Sequence, residues 1–172
     1  MSIARVRALV VVGLLVVLAA VAAGWAIAKD RQTGASAGGT PCVRGTAPFV
    51  TTVPTSARRV RVNVYNATSQ VGLATRVAKQ LTDLGFTVDQ VGNDPLQGTV
   101  KAVAEIRYGP AGAGAAQLVR SRFPGAEPTL VTRSDAAVDI VLGMLFEQVA
   151  TDAVAQQELK RLGKPERPAG LC

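Results

Sequence analysis

The sequence contains no histidine. Its absence removes Ser-His-Asp and Cys-His nucleophilic catalysis, imidazole metal ligation and the commonest general base. Cysteine is almost as scarce: Cys42 and Cys172 are the only two, too far apart for a Cys-x-x-Cys redox site. In an oxidising compartment such a pair is most simply a disulfide closing a loop of about 130 residues, worth about 4–5 kcal/mol in the chain-entropy picture. A bridge between chains through Cys172 is the alternative reading. Aromatic residues make up only 4% of the chain, and no basic stripe is visible. Stacking platforms and clustered cations are what a nucleic-acid binder shows, so no nucleic acid is expected as a partner. Asp83, Asp89, Asp94, Glu105, Glu127, Asp135 and Asp139 are scattered, without the spacing of a metal loop. No metal, cofactor, small-molecule substrate or catalytic residue is expected.

The net charge of +7 is spread out. Arg5 and Arg7 carry +2 of it, residues from 29 onward carry +5, and residues 57–143 carry +3. The excess of 14 Arg over 5 Lys reads as a GC-rich genome rather than as chemistry.

Residues 8–28 form a run of 21 without a charge or a strongly polar side chain. As a helix it would cover about 30 Å, the thickness of a hydrocarbon core. Arg5 and Arg7 before it keep the N-terminus in the cytoplasm by the positive-inside rule, and Trp25 suits the outer interface. The expected partner is therefore the membrane, through a single-pass anchor over residues 1–29, with the rest of the chain outside the cytoplasm. Ala26 and Ala28 leave a second reading open, a cleaved signal peptide, although its apolar core would be unusually long. A buried soluble helix would show a polar face, which this run lacks.

Residues 30–56 hold Gly34, Gly38, Gly39, Pro41, Gly45, Pro48 and Pro54 among Ser, Thr and Ala, and read as a tether. Residues 57–143 carry the periodicity of a folded domain. Residues 59–65 alternate, with Val60, Val62 and Val64 on one face, as a half-buried strand does. Asn66 opens a turn from which Thr68 or Ser69 can cap a helix bearing Leu73, Val77, Leu81 and Leu84, stopped by Gly85. Strands follow over 86–91 and 102–108. The Gly-rich turn 109–114 fits neither GxGxxG nor a P-loop, so it reads as a plain connection, with a weak anion site at the next helix start as the minor alternative. A second helix carries Leu118, Val119 and Phe123, and strands follow over 128–132 and 138–142. The expected fold is α+β, a mixed sheet with two helices on one face in the order β-α-β-β-α-β-β. Residues 144–172 read as a helix to about 162 and an extended tail.

Residues 62–66 (Val-Asn-Val-Tyr-Asn), 71–74 (Val-Gly-Leu-Ala), 84–88 (Leu-Gly-Phe-Thr-Val), 106–109 (Ile-Arg-Tyr-Gly) and 139–143 (Asp-Ile-Val-Leu-Gly) together resemble the LytR C-terminal domain family. The resemblance spans residues 59–143 and makes Asn66, Gly72, Gly85 and Gly143 turn and cap positions. One departure is Ala67, where the family usually has glycine after the asparagine. The resemblance implies a non-catalytic exported domain supporting the cell envelope, with envelope proteins or wall components as partners. A direct binding module for a wall glycan or anionic polymer is the alternative. Strand alternation places Arg59, Arg61 and Asn63 opposite the valines, where Thr87, Asp89, Glu105 and Arg107 can join them. Arg59, Arg61, Asn63 and Arg107 are the candidate interaction surface; a solvated antiparallel face with cross-strand ion pairs is the plainer reading.

Overall fold

The computed structural model describes residues 47–168. The anchor, its Arg5 and Arg7 flank, most of the tether and both Cys42 and Cys172 lie outside the described residues. Among those residues no helix is long and apolar enough to cross a membrane.

The valine alternation forms β1 (Arg61–Asn66), preceded by a single 3-10 turn at Ala57–Arg59. Helix α1 (Leu73–Asp83) buries Leu73, Val77 and Leu81 at helical spacing. It ends in a Schellman motif: Gly85, at φ +90°, donates to Thr82 O (2.9 Å) while Phe86 N–H reaches Leu81 O (2.9 Å). The chain then forms β2 (Thr87–Asn93), β3 (Ala104–Tyr108), a 3-10 turn at Pro110–Gly112, α2 (Ala113–Ser121), β4 (Glu127–Leu130), β5 (Val138–Leu142) and α3 (Asp152–Leu162).

The five strands lie in the order β2-β1-β5-β3-β4. Strand β1 runs parallel to both β2 and β5, β4 runs parallel to β3, and β3 is antiparallel to β5. The chain is thus two βαβ units, β1-α1-β2 and β3-α2-β4, facing opposite ways. Right-handed crossovers put both helices on one face. There Val62, Val64, Ile106, Val138, Ile140 and Leu142 meet Val77 and Leu81 of α1 and Val119 of α2 in a single core, with Phe123 beside them. Pro128 sits in β4, an edge strand, where a missing N–H costs no ladder bond.

Four features differ from the sequence reading. Residues 47–56, read as the end of the tether, pack on the domain: Phe49 is buried and Val50 N–H reaches Pro110 O (3.0 Å). The helix expected from 144 begins only at Asp152. The backbone before it is taken up elsewhere, Met144 N–H by Val100 O (2.9 Å) and Leu145 N–H by Ala102 O (3.3 Å). Neither Thr68 nor Ser69 caps α1; the N-cap is Gly72 at φ +73°. The face away from the helices is built mainly from parallel pairs and is closed at its centre. Val141, Asn63 and Arg107 are all buried there.

Helix α3 packs on α2 with only Ala155 buried. Polar side chains hold it at both ends. Arg122 Nη2 pairs with Asp152 (2.7 Å), and Gln117 Nε2 donates to the carbonyls of Leu162 (3.2 Å) and Gly163 (3.1 Å).

Candidate functional site

At the amino-terminal ends of β1 and β5 the helix-free face opens into a cleft of about 370 Å³. Arg59 and Arg61 line it from β1 and the turn before it, with Asn63 at its floor. Asp89 and Gln90 come from β2, and Arg133 and Asp135 from the β4–β5 loop. A bulge makes the β2 contribution possible. Val62 pairs with Val88 but Asn63 pairs with Gln90, so Asp89 is an extra residue and both Asp89 and Gln90 turn to this side. Asp89 Oδ2 then meets Arg61 Nε at 2.7 Å, and Gln90 Oε1 accepts from the Tyr65 hydroxyl at 2.7 Å.

The wall contributed by β5 rests on Asp139. Its Oδ1 accepts from Asn63 Nδ2 (2.7 Å) and its Oδ2 pairs with Arg133 Nη1 (3.0 Å). Arg133 also pairs with Asp135 through Nη2 (2.9 Å). Burial disfavours the charge on Arg133, but Asp139 and Asp135 outweigh it and hold its pKa above the usual arginine value. Burial likewise works against ionised Asp135, and the Ala137 N–H (2.9 Å) and Arg133 more than compensate, holding the carboxyl below its ordinary range. Gly109 makes room for this loop, since a Cβ there would collide with the Arg133 backbone. Arg59 differs from its two neighbours. Among the described residues it makes no ion pair, and its Nη2 donates to Thr55 Oγ1 at 2.7 Å.

The four residues singled out from the sequence therefore divide. Arg59, Arg61 and Asn63 share the cleft, with the two arginines at its surface and Asn63 committed to Asp139. Arg107 lies apart and is buried. Its guanidinium forks onto Asp94 (2.7 and 3.2 Å) and Glu105 (2.7 Å), pinning the loop after β2 over the helix-free face. Sequence reasoning missed Gln90, Arg133 and Asp135 as part of the site. Alternation assigned Gln90 to the other face, and nothing local announced that β5 would lie beside β1.

The family-motif positions gather mostly at the opposite, carboxyl-terminal end of β1 and β5. There a second cleft of about 390 Å³ is lined by residues 67–70 with Leu73, Gly143, Met144 and Phe146. Asn66 shapes its rim: Oδ1 accepts from the N–H (3.0 Å) and hydroxyl (2.8 Å) of Thr68, and Nδ2 donates to Gln70 O (2.8 Å). Asn66→Ala is expected to cost about 2 kcal/mol, because it removes three bonds from a buried amide and leaves the Gln70 carbonyl and the Thr68 N–H and hydroxyl without that partner. The shift in urea midpoint at unchanged slope measures it. In the Gly-rich turn the Thr52 carbonyl lies against Gly114, in the first turn of α2, where an added Cβ would overlap it. Among the described residues no three His, Cys, Asp or Glu side chains stand close enough to hold a metal.

Residues 59–146 match the family described as LytR cell envelope-related transcriptional attenuator. The chain is 30% identical, over a 186-residue alignment, to the cell envelope integrity protein Cei of Mycobacterium tuberculosis; the alignment takes in 96% of this chain and 85% of that protein. It is also similar to the crystal structure of the soluble domain of a conserved hypothetical secreted protein from Mycobacterium marinum, at 34% identity and a TM-score of 0.55. That likeness covers 60% of this chain and 72% of the solved one.

Proposed function

We propose that this chain, which belongs to the LytR cell envelope-related transcriptional attenuator family, is a membrane-anchored, non-catalytic module that supports the cell envelope from outside the cytoplasm by binding envelope proteins or wall components. One observation carries the reading. The similarity to Cei extends over 96% of the chain, well beyond the 59–146 domain. It therefore takes in the segment with the 21-residue apolar run, as well as the folded domain. That run and the arginines before it support a single-pass anchor with an exported domain. A non-enzymatic role is supported by the chemistry of the site. Asp89, Asp135, Asp139, Asp94 and Glu105 are each paired with an arginine, and the chain has no imidazole to act as base.

The test is made in cells that produce the protein. Cross-linking on the outer side of the membrane is expected to recover a reproducible set of envelope partners, and deletion to sensitise the cells to wall-active agents. Recovery of no defined partner, together with unchanged tolerance of such agents, would overturn the reading.

A further inference from the structure

We propose that the cleft between Arg59, Arg61, Gln90 and Arg133 binds a saccharide carrying one anionic substituent, a carboxylate or a phosphate. The inference deepens the envelope reading and rests on it only in choosing a saccharide as the carrier.

The charge pattern sets the ligand's charge. Three guanidiniums line the cleft. Arg61 is matched by Asp89, and Arg133 by Asp135 and Asp139, while Arg59 makes no ion pair among the described residues. With Asp139 counted, three guanidiniums and three carboxylates balance, so the cleft carries no net charge and offers Arg59 alone as a guanidinium without an ion pair, which suits one anionic group and not several. A polyanion would call for several such cations, without carboxylates between them. The hydrogen-bonding pattern sets the rest. Arg61 spends only Nε on Asp89, and its side chain is 69% exposed, which leaves both Nη groups facing solvent. Gln90 uses its carbonyl on Tyr65 and keeps its NH2; Asn63 uses its NH2 on Asp139 and keeps its carbonyl. Asp89 has Oδ1 to spare. Free donors on Arg61 and Gln90 and free acceptors on Asn63 and Asp89 thus share the cleft with the one guanidinium that has no ion pair, a mix able to serve hydroxyls as well as an anion. The groups are held in place by the Asp139 pairs and the β2 bulge, so little ordering remains to be done on binding.

The experiment titrates the full-length protein in detergent micelles with glucuronate, glucose 6-phosphate, glucose, acetate and inorganic phosphate, followed by NMR of backbone amides. Saturable millimolar binding of either anionic sugar is expected, with shifts at Arg61, Gln90 and Ala136. Glucose and the bare anions should each bind at least about tenfold more weakly, the loss of one charge-assisted contact or of the hydroxyl set. Arg59→Ala should weaken the anionic sugar about tenfold, and Arg76→Ala, an exposed arginine on α1, should leave it unchanged. No saturable binding of either anionic sugar overturns the proposal. So does glucose or a bare anion binding as well as the anionic sugar, or indifference to Arg59→Ala. The readout is independent of the cellular one: binding here without an envelope phenotype would sink the function and spare the cleft, and the reverse would spare the function and sink the cleft.

Discussion

Replacing Arg107 with alanine is expected to lower the free energy of unfolding by about 3–5 kcal/mol, the usual cost of leaving one partner of a buried ion pair alone. The Asp94 side chain is 1% exposed and the Arg107 side chain 10%. Without the guanidinium, Asp94 keeps only the N–H groups of Leu96 and Gly98, both at 3.3 Å. Glu105 loses its partner as well. The loop after β2 would then be held to the sheet's helix-free side by the Asp94 N–H to Asn66 O bond (2.9 Å) without its side-chain pin. Arg107→Lys keeps the charge and loses the fork, so it should fall between the two.

The same pair sets a pH dependence whose sign can be worked out. Burial favours the neutral form of Asp94, but Arg107 and the two backbone N–H groups outweigh it, and the net pKa lies below the usual aspartate value. Glu105 is held below its ordinary value mainly by its hydrogen bond to Arg107. A carboxylate with a depressed native pKa contributes stability above the unfolded-state pKa and loses it as pH falls through the native one. The gap between the native protein and Arg107→Ala should therefore be widest near neutrality. It should narrow below about pH 4, where unfolded carboxyls begin to take up protons. Urea denaturation at both pH values measures this. A gap under about 1 kcal/mol at pH 7 would mean that water serves Asp94 nearly as well as Arg107 does.

Gly143→Ala is expected to be of similar severity, about 3 kcal/mol or more, for a steric reason. An added Cβ would overlap the Ala102 carbonyl oxygen and stand 2.7 Å from Val100 Cγ1 and 2.8 Å from Val100 O. Two of these neighbours are backbone and cannot change rotamer, so residues 100–102 would have to move. Three hydrogen bonds across that seam would loosen with them: Gly143 N–H to Val103 O (3.0 Å), Met144 N–H to Val100 O and Leu145 N–H to Ala102 O. Gly72→Ala is the control. Nothing lies within 4 Å of its Cβ position, and only its φ of +73° opposes a side chain. It should cost about 1 kcal/mol. Equal losses at the two positions would show that conformation, and not space, governs Gly143.

Local pattern carried the reading of the fold a long way. The valines of β1, the apolar stripe of α1 and the stop at Gly85 each express one element's own geometry, and all appear where the residues place them. Pairing is a different kind of information. Nothing within residues 138–142 says that β5 inserts between β1 and β3, yet that insertion brings Asp139 to Asn63 and Arg133 to the cleft. Alternation names the face of Arg107 correctly and is silent about what covers it, because the cover comes from Asp94, which had no visible partner in the sequence. Residues 144–151 look helical from Met144, Leu145, Phe146 and Val149; their backbone groups instead serve a loop some forty residues earlier in the chain. The fold class came from the order of the periodic segments, and the family resemblance made no claim on the cleft, since Asn66, Gly72 and Gly143 belong to the sheet's other end.

The pairing of β1 with β5 bears on how the domain meets mechanical load. These are the first and last strands of the sheet, and they run side by side in the same direction in register from Val62–Val138 to Asn66–Leu142. Tension applied across the described domain, at residues 47 and 168, would reach β1 through residues 47–60 and β5 through α3. It then pulls β1 backwards and β5 forwards along their shared ladder. In that geometry the bonds are loaded in shear and must give way together, whereas a hairpin pulled from its open end unzips one pair at a time. A domain loaded between its two ends would resist by the strongest direction its sheet possesses.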